Sequence, residues 1–186
     1  MSGALEGLRI LDLSRLLPGP FCSLLFADLG ADVIKVEDTG MGDYVRWAPP
    51  AYPGVEQSAA GALFLSLNRN KRSIRLDLKN DRGKEALLRL ARDADVLLES
   101  FRPGVLDRLG VGYGELRKVN PGIVHCAISG YGQDGPGRDA AGHDMNYLAL
   151  AGHPEHPADP ECRPGRRHRR RRADGGVRDP CCAALP

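Results

Sequence analysis

Short apolar, β-branched runs alternate with helix-like stretches through the first 150 residues, and this alternation constrains the fold more than any other feature of the chain. Residues 8–13, 32–37, 73–78, 94–98 and 123–129 read as strands. Residues 21–29, ended by Gly30, read as a buried helix, and residues 82–92 carry Leu87, Leu88 and Ala91 at helical spacing. A parallel pair of strands needs a crossover long enough to hold a helix, so strand, helix, strand in succession argues for βαβ units and a parallel sheet. The expected class is therefore α/β, with an open doubly wound topology.

The alternation stops near Gly152. Residues 151–186 carry eight arginines against five acids and hold three of the five cysteines, so the net charge of +2 comes from the tail and says nothing of a nucleic-acid-binding body. The expected division is an orderly part at 1–152 and an Arg-, Pro- and Cys-rich tail at 153–186, irregular or disordered. Cys22 and Cys126 stand in apolar settings, a usage that suits a reducing compartment. With no basic and apolar leader pattern and no long apolar run, the chain reads as cytoplasmic, with no membrane partner.

Doubly wound sheets bind ligands beyond the carboxyl ends of their strands, so the loops there are the first places to look for chemistry. The first loop, 14–20, has no Gly-x-Gly-x-x-Gly, and Pro20 removes an amide that a phosphate cradle would use, so no dinucleotide cofactor is expected. Asn68 to Arg72 gathers three cations and two amides just ahead of a strand, either a solvated basic turn or a phosphate site. Residues 40–61 form a loop rich in Pro, Gly and Ala, too long for a simple connector. After the last strand, a glycine-rich stretch leads to Gly142, His143, Asp144, Asn146 and Tyr147 at the start of a helix over 147–151. His143 is either a capping residue or a general base, since an imidazole titrates near neutral pH.

In order and spacing, LEGLRILDLS (5–14), PGP (18–20), ADLGADVIKVE (27–37), LNRNKRSI (67–74), LDLK (76–79), DVLLE (95–99), FRPG (101–104) and GHDMNY (142–147) resemble the family III CoA-transferases, the CaiB/BaiF family, which also contains α-methylacyl-CoA racemase. The resemblance implies a Rossmann-like open parallel sheet, the N-terminal part of the large domain of a two-domain family, and an interlocked homodimer with shared active sites. It implies acyl-CoA as substrate, with coenzyme A entering as part of that substrate and no separate cofactor, metal or nucleic acid. Asn70, Lys71, Arg72, Leu76, Lys79 and Gly142 would lie near the CoA. Asp38 stands where many relatives place an arginine near the nucleotide.

The resemblance divides on reaction type. GHDMNY is similar to the racemase pattern, in which a histidine is one of two bases flanking the substrate α-carbon. LSLNRNKR (65–72) and Gly42-Asp43 look more like the transferase branch. Weighted toward His143, the first expectation is racemisation of 2-methylacyl-CoA thioesters, with Asp144, Asn146 and Tyr147 in support. The alternatives are a CoA-transferase moving CoA between carboxylic acids and a non-catalytic fragment. Racemisation needs one group to take a weakly acidic proton and another to return one to the opposite face. In the family the second group is an aspartate in an Asp-x-Gly-Gly-Gly segment a few tens of residues after the histidine; transferases use an aspartate of that region as a nucleophile that forms a mixed anhydride.

The tail offers neither Asp159 nor Asp174 in that setting. It reads as a basic polyanion-binding arm, as a metal cluster of Cys162, His168, Cys181 and Cys182 whose spacing matches no common zinc pattern, or as an out-of-frame translation. The last explains most: GC-rich codons for residues 167–173, read in the neighbouring frame, can spell Asp-Ile-Gly-Gly-Gly-Gly. The expectation is a truncated chain with little activity alone.

Overall fold

The computed structural model describes residues 3–55 and 61–151. In chain order its elements are β1 (Arg9–Asp12), α1 (Pro18–Asp28), β2 (Asp32–Glu37), a 3-10 turn (Tyr44–Arg46), α2 (Ala62–Asn68), β3 (Lys71–Arg75), α3 (Asp81–Ala91), β4 (Val96–Glu99), α4 (Val105–Arg108), α5 (Tyr113–Val119), β5 (Val124–Ala127) and α6 (Asp144–Leu150). The five strands form one sheet in the order β3-β2-β1-β4-β5, with every neighbouring pair parallel. The chain thus winds outward from β1 through β2 to β3, then returns to lay β4 and β5 on the other side of β1. This is the α/β, doubly wound class expected from the alternation. Its winding reverses between β1 and β4, which is where such sheets open a ligand crevice.

Period-two alternation sends each strand's side chains to opposite faces of the sheet. Leu11, Leu13, Ile34, Val36 and Leu97 bury one face against Leu87 and Ala91 of α3, Leu106 of α4 and Leu116 of α5. Ile10, Val33 and Leu98 bury the other with Ala27 of α1 and with Ala31. Burial of this kind is worth about 25 cal/mol per Å² of apolar surface, and it fixes the register because a one-residue slip would turn each strand's core set outward.

Local chemistry sets the element ends. α1 starts three residues before the expected helix, since Pro18 brings a preset φ and lacks only an amide that the first turn leaves unpaired anyway. Gly30, at φ 101°, follows its C-terminal end. Asn80 caps α3 by accepting from Arg82 N at 2.9 Å. The strand expected at 73–78 runs instead over Lys71–Arg75, because Asp77 turns the chain: Lys79 N donates to its side chain at 3.0 Å and Asn80 N to its carbonyl at 3.0 Å. Leu76 and Leu78 still pack against the core, which is why the alternation continued past the strand.

The chain divides into two compact units, Met1–Ala140 and Ala141–Pro186. In the second, α6 starts ahead of the expected 147–151 helix, because Asn146 Oδ1 accepts from His143 N at 3.0 Å and makes His143 the N-cap. The tail readings, with Asp159, Cys162, His168, Asp174, Cys181 and Cys182, lie outside the described residues. No helix among the described residues is long and apolar enough to cross a membrane. No group of three or more His, Cys, Asp or Glu among them is placed to hold a metal ion.

Candidate functional site

The loops after β1 and β4 meet where the winding reverses. Arg15 N donates to Ser100 Oγ at 3.0 Å and Leu13 N to Leu98 O at 2.8 Å, so the two strand ends are stitched together. The half-exposed Arg15 guanidinium lies 5.7 Å from the centroid of Phe101 and pairs with Asp38 at 2.9 Å. A short step on, Gly104 is left-handed at φ 76° and caps α4. A Cβ there would meet Arg108 Nη1 at 3.3 Å and Arg138 Nη2 at 3.6 Å, so glycine lets two guanidiniums converge beside the loop. Neither arginine has a hydrogen bond or ion pair among the described residues. Two guanidinium forks beside this loop are suited to a carboxylate or phosphate.

Beneath this edge, the α1-facing side of the sheet changes from apolar to charged. Ile10 gives way to Asp12 on β1, Val33 to Lys35 and Glu37 on β2, and all three charged side chains are buried. Asp12 accepts from Ser14 N at 2.9 Å and from the hydroxyls of Ser14 and Ser23. Gly19 makes this possible, for a Cβ there would stand 2.2 Å from Ser14 Cβ and Oγ. Lys35 pairs with Asp43 at 3.1 Å. Burial would raise the Glu37 carboxyl, but hydrogen bonds from Arg46, the Asp43 amide and Ser73 outweigh it and hold the pKa down to about 2. Arg46 grips that carboxylate through Nε at 2.7 Å and Nη2 at 2.6 Å, with its guanidinium 3.7 Å from the centroid of Phe64.

Within the first unit, the residues expected near the CoA take different partners. Lys71 reaches inward: its Nζ donates to Pro20 O and Ser23 Oγ at 2.8 Å and to Asn68 Oδ1 at 3.0 Å, and pairs with Asp12 at 3.4 Å. Burial lowers its pKa to about 8, with the like charge of Lys35 adding to the effect and Asp12 opposing it. Arg72 is held bidentately by Asp32 and lines an open groove of about 580 Å³ with Arg9, Arg89 and Arg92 of the α3 side. Asn70, left-handed at φ 61°, donates to Asp28 at 3.0 Å. Leu76 and Lys79 follow β3 and so lie beyond its carboxyl end, with Leu76 N on Glu37 O at 2.8 Å. Gly142, His143, Asp144, Asn146 and Tyr147 belong to the second unit, all exposed except the half-buried Gly142. Neither thiol is fully buried: Cys22 is half-buried, with burial raising its pKa, and Cys126 is exposed.

Three features escaped the sequence reading. Arg108 and Arg138 lie thirty residues apart, and only the left-handed Gly104 of the FRPG motif hinted at a close approach. The buried charges were signalled only by Lys35 and Glu37 standing inside an apolar strand. The third is a pair on β4 and β5, where His125 Nε2 lies 3.7 Å from Glu99 Oε1 with no hydrogen-bond partner among the described residues. Burial raises the Glu99 pKa and lowers that of His125.

The fold is a doubly wound α/β domain with Arg15 at the β1/β4 reversal and Arg108 and Arg138 beside the loop after β4. The chain belongs to CoA-transferase family III, whose sequence profile matches residues 5–172. It is 45% identical over 154 residues to an acyl-CoA transferase of Fusarium pseudograminearum, covering 81% of this chain and 34% of that protein. It is 46% identical over 149 residues to the succinyl-CoA:glutarate CoA-transferase of Mus musculus, covering 80% of this chain and 33% of the relative. The crystal structure of a CAIB/BAIF family protein from Brucella suis superposes with a TM-score of 0.80 at 38% identity, over 90% of this chain and 44% of that one. The chain thus spans about a third of the length of these curated relatives.

Proposed function

We propose that this chain is part of a CoA-transferase, which moves coenzyme A from an acyl-CoA thioester to a free carboxylate. The observation that carries the reading is the match, at 45–46% identity, to relatives named acyl-CoA transferase and succinyl-CoA:glutarate CoA-transferase. It reverses the order of the sequence expectations, in which racemisation stood first on the strength of His143. The approach of Arg108 and Arg138 to Gly104 supports the same reading, since both the CoA phosphates and a dicarboxylate are anions that paired arginines bind well.

In this reading Arg108 and Arg138 hold an anionic group of the acyl-CoA, with Lys79 contributing from the loop after β3. The stitched loops after β1 and β4 shape the wall, with Arg15 tethered across Phe101 and Asp38. By family resemblance, the carboxylate that attacks the thioester carbonyl and expels the CoA thiolate is the aspartate of the Asp-x-Gly-Gly-Gly segment, a role assigned to neither Asp159 nor Asp174, and a homodimer with shared sites completes the centre. A second reading, racemisation, rests on His143 heading α6 with its backbone fixed by Asn146.

Acceptor dependence separates the two. A succinyl-CoA donor is offered with and without a dicarboxylic acid, and a 2-methylacyl-CoA is offered in deuterated water. Both assays are run on this chain and on a frame-restored version. New thioester formed only with an acceptor is the outcome the transferase reading expects; deuterium entering C2 with no acceptor would establish racemisation instead.

A further inference from the structure

The loop between β1 and α1 adopts a conformation that its own sequence does not favour. Leu16 is left-handed at φ 69°, a region that costs a residue with a Cβ and is normally left to glycine or asparagine. Such a residue persists only where its surroundings over-determine it, and here the determinants can be named. Asp43 accepts from Leu16 N at 3.3 and 3.4 Å through its two oxygens. Lys35 Nζ donates to Ser14 O at 3.0 Å. The two side chains pair with each other at 3.1 Å and are 1% and 0% exposed. Together they grip the backbone on both sides of Arg15, whose own amide is held by Ser100.

Asp43 is itself tied in place: its amide donates to Glu37 Oε2 at 2.9 Å, and its Oδ1 caps the 3-10 turn at Val45 N, 3.3 Å away. The long loop after β2 is thereby coupled to the short loop after β1. Without this grip, nothing in the sequence of residues 14–17 would keep Leu16 left-handed.

We propose that Lys35 and Asp43 are positioning residues: a buried clamp that holds the β1–α1 loop in a strained turn and so fixes where Arg15 and Leu17 stand at the β1/β4 reversal. The clamp acts on backbone, so it serves whatever acyl-CoA chemistry this edge supports. It does not depend on the transferase reading.

The test is a double-mutant cycle on the chain as it stands, read by urea unfolding and by amide hydrogen exchange. D43N is combined with L16G, and with L16A as the control that loses the same packing but keeps the left-handed penalty. Once the grip is gone, Leu16, or the alanine put in its place, can leave the left-handed region and shed its penalty, whereas glycine has none to shed. A clamp that holds a strained turn therefore makes D43N raise the unfolding constant about tenfold less in the parent and in L16A than in L16G. Exchange at the amide of residue 16 should also speed up by more than the change in global unfolding accounts for. Because D43N alone leaves Lys35 buried without a partner, the same comparison is made with K35M/D43N, which leaves no lone charge. An equal cost in all three backgrounds, with exchange at residue 16 following global unfolding, would reduce the pair to an ordinary core ion pair and overturn the proposal.

Discussion

Glu37 shows how much a single buried charge can govern. Its folded pKa of about 2 lies below the unfolded value of 4.5, so its contribution is present above pH 4.5 and is lost as pH falls through that window toward 2. The shift corresponds to roughly 3 kcal/mol. Urea titrations between pH 6 and pH 2 should show that fall in the parent chain and a flatter profile in Glu37→Gln. Lys71 gives a slope of the same sign in a higher window: its pKa, lowered to about 8 from 10.5, makes stability rise with pH across that interval, and Lys71→Met should remove the slope. Gly19 is required by contact rather than by φ, and Gly19→Ala should cost about 1–3 kcal/mol by driving a methyl into Ser14. At this scale the sequence was least legible. A charge such as Lys35 or Lys71 announces its presence but not its partner, and partners such as Asp43 and Asp12 lie many residues away and meet only once the sheet is built.

Elements were legible in proportion to their period. α3 joins an apolar stripe to a polar face and was placed within a residue at each end. Leu87, fully buried at its centre, should cost about 2–5 kcal/mol on replacement by alanine, measured by denaturant unfolding. α1 is apolar all round, so its pattern announced a buried helix but not which side was covered. Gly19, Pro20, Ser23, Leu24 and Ala27 are buried, while Leu17, Phe21, Leu25 and Leu29, spaced four apart, are each about half exposed. α2, α4 and α5 went unrecognised because seven residues or fewer give less than two full turns, too short for a helical period to show. Strand order was legible only as a class: alternation implied parallel strands, but which of them flanked β1 depended on long-range pairing.

Across the whole molecule, the exposed stripe of α1 adds to Leu63 and Leu65 of α2 as apolar surface facing solvent. Surfaces of this kind promote association. Sedimentation velocity should show the parent chain self-associating in the tens of micromolar, with Phe21→Ser and Leu25→Ser together shifting it toward monomer. The proposed functional edge lies elsewhere, beside the loop after β4, where two arginines with no hydrogen bond or ion pair among the described residues approach Gly104. The most direct test of that assignment is calorimetric titration of coenzyme A into the chain and its variants. Loss of about tenfold or more in affinity in both Arg108→Ala and Arg138→Ala is the predicted result, whereas unchanged binding in these two, with loss in Arg72→Ala, would move the site to the Asp32 groove and contradict the account.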